Sequence, residues 1–367
     1  MRKLTMAACA AGLGLALCSG TAASASASAS ASASETIVVW PGQSIQAAIN
    51  RADPGDTILI EPGVYHQSVQ IRTDGITLRG SGASSRGTVI VPPKVFPKTP
   101  CNGGFGPTGI CLLAKKVNFS TGAVLSPVRN DTVTNLLVKG FPGNGVFGYG
   151  TVGMRVTNVA AINNGGYGIS RFVSSDTLFA YDIAAGSAEA GFYVGDSPHA
   201  DTVVRDDLAY GNLFGIFIRH AQHVLVYGNR LSGNCQGIMV LDDGQRGGAG
   251  NAGIFHNTVV KNNKFCPKGG DNPVNFQGGG ILLLGATHTL VAFNAVFGNS
   301  GKQVNSGGIV VASAHALTKG SNPNFDTVFR NLAFRNHPAD LIWDGTGVHV
   351  RFKDNQCGTS IPSGFCH

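Results

Sequence analysis

Apolar residues run along the middle of the chain in short beats, each opened by a glycine. The phrase Gly-apolar-x-apolar recurs at Gly145-Val146-Phe147, Gly168-Ile169, Gly191-Phe192-Tyr193-Val194, Gly215-Ile216-Phe217-Ile218 and Gly237-Ile238-Met239-Val240. The steps between these glycines are 23, 23, 24 and 22 residues. Further copies begin at Gly280 and Gly308, after steps of 43 and 28; the longer step leaves room for a further coil plus an insertion. A near-constant period of this size marks a solenoid. Each period holds a second apolar beat (Thr202–Arg205, His223–Tyr227, His288–Ala292) and a third (Leu208–Tyr210, Arg230-Leu231, Ala295–Phe297). Helices would need runs of at least about 10–12 residues with a 3.6 period, which the Gly and Asn punctuation forbids. The leucine-rich pattern is absent as well. Three short strands per period predict the coil of a parallel β-helix.

Asn212 and Asn234 each stand three residues before their glycine, and Asn163-Asn164 hold a similar place. Asn side chains stacked from coil to coil can bond along a solenoid, so their first reading is structural. A solenoid must also close its ends. Ser44 to Ala52 reads as a short amphipathic helix, with Ile45, Ala48 and Ile49 on one face and Ser44 as its N-cap. Pro54-Gly55-Asp56 then turns the chain into the strand Thr57–Ile60. The series Pro41–Ile49, Pro54–Ile58, Pro62-Gly63-Val64-Tyr65 and Gly75–Gly80 resembles the opening of exported proteins of the pectin-lyase-like superfamily. The resemblance implies an all-β fold: a single-stranded right-handed parallel β-helix, a solenoid with an N-terminal capping helix. It leaves the reaction open, because that fold carries lyases, hydrolases, epimerases and non-enzymes.

Composition agrees. Of 367 residues 52 are Gly and only 13% are charged, about twice and half the usual shares, which excludes a coiled coil and charge-driven disorder. Arg2 and Lys3, the apolar run Met6–Leu17 and the small residues Ala22-Ala23 read as a secretory signal over residues 1–23. Residues 24–35 are an Ala/Ser-rich spacer, and residues 36–367 form the β-helix domain. The mature protein is expected outside the cell, with no membrane span. Without Cys9 and Cys18, six cysteines remain: Cys101, Cys111, Cys235, Cys266, Cys357 and Cys366. An even count in an exported chain points to disulfides, with 15 possible pairings. The short loops favour Cys101 with Cys111 and Cys357 with Cys366, leaving Cys235 with Cys266. Removing Arg2 and Lys3 turns the formal charge of +7 into +5. A modest basic excess suits an anionic partner. The expected partner is an acidic polysaccharide, with no nucleic acid and a monomeric protein.

Candidate chemistry emerges when the coils are aligned on their glycines. Five residues past the glycine stand Asp196, His220 and Asp242, on successive coils. Arg219 and Asp243 flank them, and Arg171 lies three residues past its own glycine. Opposite charges at coil spacing hold one another ionised. The string Tyr193-Val194-Gly195-Asp196-Ser197-Pro198-His199 is similar to the Tyr-Gly-Phe-Asp-Pro-His motif of alginate (mannuronan) C5-epimerases, with Ser197 inserted and His220 where that family uses a further Asp. The resemblance implies Tyr193 and His199 as an acid/base pair and Asp196 as a charged partner. They would act by removing the proton at C5 of a uronate, as a lyase or an epimerase. The catalytic set expected is therefore Tyr193, Asp196, His199, Arg219, His220 and Asp242, with Arg171, Asp243 and Arg246 binding substrate. Arg171 or Arg219 would steady the uronate carboxylate.

Two alternatives stand beside this reading. Asp242-Asp243 resembles the adjacent acid pair of polygalacturonase-type hydrolases, without their Gly-His-Gly and Arg-Ile-Lys strings. A non-catalytic surface or glycan-binding β-helix, similar to NosD-like repeat proteins, is the other. No cofactor is expected; Ca2+ is the one ion that Asp196, Asp242 and Asp243 could partly supply, and the interposed Arg219 and His220 oppose it. Gly244–Asn251 reads as a loop over the cleft, and Pro92–Lys116 as a side loop stapled by Cys101 and Cys111.

Overall fold

A computed structural model describes residues 34–367 except 105, 270, 271 and 316. The signal and most of the spacer lie outside the described residues. From Thr36 onward the chain winds as a parallel β-helix with three strand rows. One coil shows the plan: the first-face strand Thr202–Arg205, the second-face strand Leu208–Tyr210 and the third-face strand Phe214–Ala221. The first two rows belong to one 21-stranded sheet, and the third row makes an 11-stranded sheet. Register is maintained from coil to coil: Val203 pairs with Leu225, Ala209 with Leu231 and Ile216 with Ile238. An antiparallel pair, Lys116–Asn118 with Ala123–Ser126, is carried outside the rows.

Strand alternation sorts the side chains. On the third face Ile216, Ile218, Ile238 and Val240 point inward and are fully buried, meeting Val224, Val226 and Leu231 of the other rows. Two asparagine ladders run along the corners. In one, the side-chain amide of Asn212 donates to Asn234 Oδ1 at 3.0 Å, and the chain continues through Asn262, Asn299 and Asn336. The other links Asn229, Asn257, Asn294, Asn331 and Asn355. Each amide also donates to a backbone carbonyl, as Asn257 does to Val226 at 3.0 Å. The buried corners are thereby satisfied in the way polar groups must be in an apolar interior.

The first end is closed by the helix α1 (Ile45–Arg51). Ser44 Oγ accepts from the Ala47 amide, and Ile45, Ala48 and Ile49 cover the first coils. Three disulfides join Cys101 to Cys111, Cys235 to Cys266 and Cys357 to Cys366. The 43-residue step holds no further coil. Gln236 pairs directly with Gly279 and Ile238 with Ile281, so the extra length leaves the coil as two insertions, after Leu241 and between Asn262 and Gly278. Strand pairing cannot skip a coil without breaking the backbone ladder, which is why the length went outward. Among the described residues no helix is long and apolar enough to cross a membrane.

Candidate functional site

On the outer side of the third face, alternation places Phe217 and Arg219 of one strand beside Met239 and Leu241 of the next. Most such surfaces would be wet. Here the insertions cover it. The 262–278 segment is tied to the coil by Cys235–Cys266 and closed by paired backbone bonds between Cys266 and Phe276 at 2.8 and 2.9 Å. Its Phe276 packs edge-on against Phe214, with ring centroids 5.2 Å apart. Leu317 and Thr318 come from a later loop, and Tyr167 and Glu189 from the turns that precede earlier third-face strands. Together they leave a hollow of about 400 Å3, walled by Tyr167, Phe214, Phe217 and Phe276 and carrying Arg219, Asp243 and Glu189.

Arg219 and Asp243 form an ion pair within it. Arg219 Nε and Nη2 donate to Asp243 Oδ2 at 2.9 and 2.8 Å. The Asp243 carboxylate is nearly buried, which disfavours its charge. Hydrogen bonds from Gln245 and the Arg219 guanidinium outweigh that cost and hold it below the usual carboxylate range. Burial likewise opposes the Arg219 charge, and Tyr193 and Asp243 restore it and raise its pKa.

The other expected residues are distributed differently. Tyr193 is buried beneath the hollow, its ring 4.5 Å from both Tyr167 and Phe172 and 5.5 Å from Phe217. Burial first, then Tyr167 and Asp196, push its hydroxyl well above the ordinary tyrosine pKa. Asp196 and His199 line a separate depression of about 340 Å3, with Thr151, Ser174 and Pro198, and His199 stacks on His223 at 6.1 Å. Tyr193 and His199, expected as an acid/base pair, are therefore not brought into one hollow.

His220 sits between strand and loop. Its Nδ1 is 3.2 Å from Asp196 Oδ1, and its Nε2 donates to the Arg246 carbonyl at 2.8 Å. Both ring nitrogens are thus engaged. Asp242 stacks in register as expected, but it does not face the hollow: Oδ1 accepts from the Gly244 amide at 2.9 Å and Oδ2 from the Ser321 amide at 3.1 Å. Gly244–Asn251 is pinned by these bonds and by one from Gln222 to the Gly247 carbonyl. The Arg246 side chain is exposed and does not line the hollow.

Arg171 is the clearest correction. It points inward, like Ile169 two residues earlier, and is fully buried. Its guanidinium donates to Ser197 Oγ, to the Ala200 carbonyl at 2.8 Å and to Thr202 Oγ1 at 2.7 Å. Burial lowers its pKa to about 9. It stitches coils together and cannot reach a substrate. The carboxylates that calcium would need are engaged separately, and among the described residues no group of three or more His, Cys, Asp or Glu is placed to hold a metal ion.

Sequence reasoning missed Glu189, Tyr167 and the aromatic wall. Glu189 had a signal: it is the acid closest before a repeat glycine. Phe276 had none, because its insertion breaks the period.

Comparison with known proteins bears on the fold. The profile of the right handed beta helix region matches residues 144–323. Solved structures agree along most of the chain. The periplasmic alginate epimerase AlgG superposes with a TM-score of 0.56 at 12% identity, over 87% of this chain and 83% of that one. DFA-IIIase from Arthrobacter chlorophenolicus A6 gives 0.60 at 11%, over 89% and 86%. Alginate lyase from Paenibacillus sp. str. FPU-7 gives 0.52 at 14%, over 86% and 99%. No curated protein matches by sequence. These likenesses are of fold, and the chain is a right-handed parallel β-helix.

Proposed function

We propose that the chain is an exported carbohydrate-active enzyme acting on an acidic polysaccharide at the Arg219–Asp243 hollow. The observation that carries the reading is the Arg219–Asp243 ion pair, set with Glu189 among four aromatic rings in one hollow of about 400 Å3. Aromatic faces suit the C–H faces of a sugar, and a few placed polar groups fix its orientation. Arg219 is the group to receive a uronate carboxylate, because its planar fork matches one. A carboxylate arriving there competes with Asp243. As Asp243 loses its cation its basicity rises, and it becomes a base for the C5 proton while Arg219 steadies the carboxylate dianion. The fold is shared with an alginate epimerase and an alginate lyase, which supports this substrate class. The three disulfides suit an oxidising compartment.

Glu189 supports a second reading. Two carboxyl groups lining one hollow also suit hydrolysis of a glycosidic bond, with Glu189 taking the place first given to Asp242.

Incubation with alginate, pectate, hyaluronan and heparin-type polymers, followed by proton NMR, separates the outcomes. Unsaturated uronate ends mean a lyase, and altered uronate composition in uncut chains means an epimerase. Saturated new reducing ends mean a hydrolase. Unchanged polymers throughout would remove the enzyme reading in favour of a binding protein.

A further inference from the structure

The corner after the second-face strands holds a left-handed residue in each coil from Gly140 to Arg335. Gly140, Gly186, Gly211, Gly233 and Gly298 fill it in five coils, and Asn163 in a sixth. Two coils place Lys261 (φ 49°) and Arg335 (φ 59°) there instead. Long side chains adopt this backbone rarely in general; Tyr181, Phe293 and Arg330 do so at the corner after the first-face strands, whereas at this corner the named coils use Gly or Asn except for the two cations. Neither cation gains a partner by it: among the described residues the side chains of Lys261 and Arg335 make no ion pair or hydrogen bond.

Register sets Gly298 between them. The backbone positions of the two cations thus stand two coils apart, roughly 10 Å at strand spacing, with only the Lys261 stem leaning over Gly298, its Cγ 3.5 Å from where a Cβ would stand. Phe297 and Phe334, each one residue earlier, lie side by side with ring centroids 6.2 Å apart and planes 12° from parallel. These five residues and Val260 line a hollow of about 740 Å3 that contains no acidic residue and shares none with the Arg219 hollow.

We propose that this corner is a second glycan-binding site, which takes a uronate residue of an acidic polysaccharide. The carboxylate lies over Gly298, held by the Arg335 fork and the Lys261 point charge. The apolar ring face rests on Phe297 and Phe334. No carboxyl group and no imidazole lines the hollow, so it anchors the polymer and does not cut it. An anchor on one face and a reactive hollow on another would keep a long chain at the enzyme by raising its effective concentration.

The test is isothermal titration calorimetry with an oligouronate of defined length. Three proteins are compared: the wild type, Lys261→Gly/Arg335→Gly, and Arg219→Gln. Glycine is what the other coils use at this corner, so the double variant is expected to melt no lower than the wild type. The wild type is expected to show two sites per chain. The double variant keeps only the site that Arg219→Gln removes, and its affinity at the corner falls about tenfold or more. A double variant with unchanged stoichiometry and affinity overturns the proposal, and does so even if Arg219→Gln has lost its site. Loss only in the double variant, with Arg219→Gln binding as the wild type, supports the corner and sinks the reading of the Arg219 hollow. A neutral oligosaccharide of equal length, or inorganic sulfate alone, binding the corner as well as the oligouronate would overturn the assignment to a uronate.

Discussion

Asp242 and Asp243 are adjacent in sequence, yet one holds loops and the other faces the hollow. Asp242 accepts two backbone N–H groups from two different loops. Replacing it by Ala removes both bonds, at about 0.5–1.5 kcal/mol each. Asp242→Ala is therefore expected to lower the midpoint of chemical denaturation clearly; an unchanged midpoint would show that the loops hold without it. Asp243 instead pairs with Arg219 in the hollow, and its loss should remove activity. The aligned glycines correctly put Asp196, His220 and Asp242 at one offset. They could not give direction, because Asp196 and His220 take left-handed backbone (both φ 54°) that interrupts the alternation. Arg171 was legible by the simpler rule: it lies two residues past the inward Ile169, so it too must point inward.

At the scale of the element, the ladders carry both stability and a pH dependence. Asp182 and Asp207 stand at the head of the Asn229–Asn355 ladder. Asp182 donates its backbone N–H to Asp207 Oδ1, and Asp207 donates its own to Asn229 Oδ1. Each leaves its Oδ2 buried without a donor, where an asparagine would present an amide. Burial pushes both carboxyl groups well above the usual range, and for Asp207 the neighbouring Asp182 adds to it. Burial raises Asp326 to about 7. The folded protein keeps these protons to higher pH than the unfolded chain, whose Asp groups titrate near ~3.9. Their stabilising contribution is complete below that value and is lost as pH rises through the folded pKa, about 7 for Asp326. Asp207→Asn is expected to raise the melting temperature at pH 8, by an increment that shrinks as the pH approaches 4. An equal increment at both pH values would contradict the protonated ladder.

The 262–278 insertion is an element of another kind. Its place in the wall depends on Cys235–Cys266, which closes a loop of 31 residues and constrains the unfolded chain by about 3–4 kcal/mol on entropic grounds. Cys235→Ser/Cys266→Ser is expected to lower the melting temperature and to weaken glycan binding at the Arg219 hollow, read by calorimetry. Unaltered binding would mean that Phe276 is not part of the wall that matters.

For the whole molecule, the solenoid was visible in the sequence because its period, its Asn corners and its capping helix are local and repeated. The hollow was only half visible. Its floor follows the period, with Arg219 and Asp243 on it, whereas its walls come from insertions that break the period and from turns, where Glu189 is marked only by its nearness to Gly191. On the proposed reading, activity is set by the face on which the charges meet. The measurement that tests this most directly compares wild type, Arg219→Gln and His199→Ala on the acidic polymer that the wild type changes. Arg219 lies in the hollow and His199 in the separate depression. Arg219→Gln is expected to lose about 100-fold or more in turnover while still unfolding in one cooperative transition, and His199→Ala to stay within a few-fold of the wild type. Loss of turnover in His199→Ala, with Arg219→Gln near wild type, would contradict the account and return the chemistry to the Asp196–His199 depression.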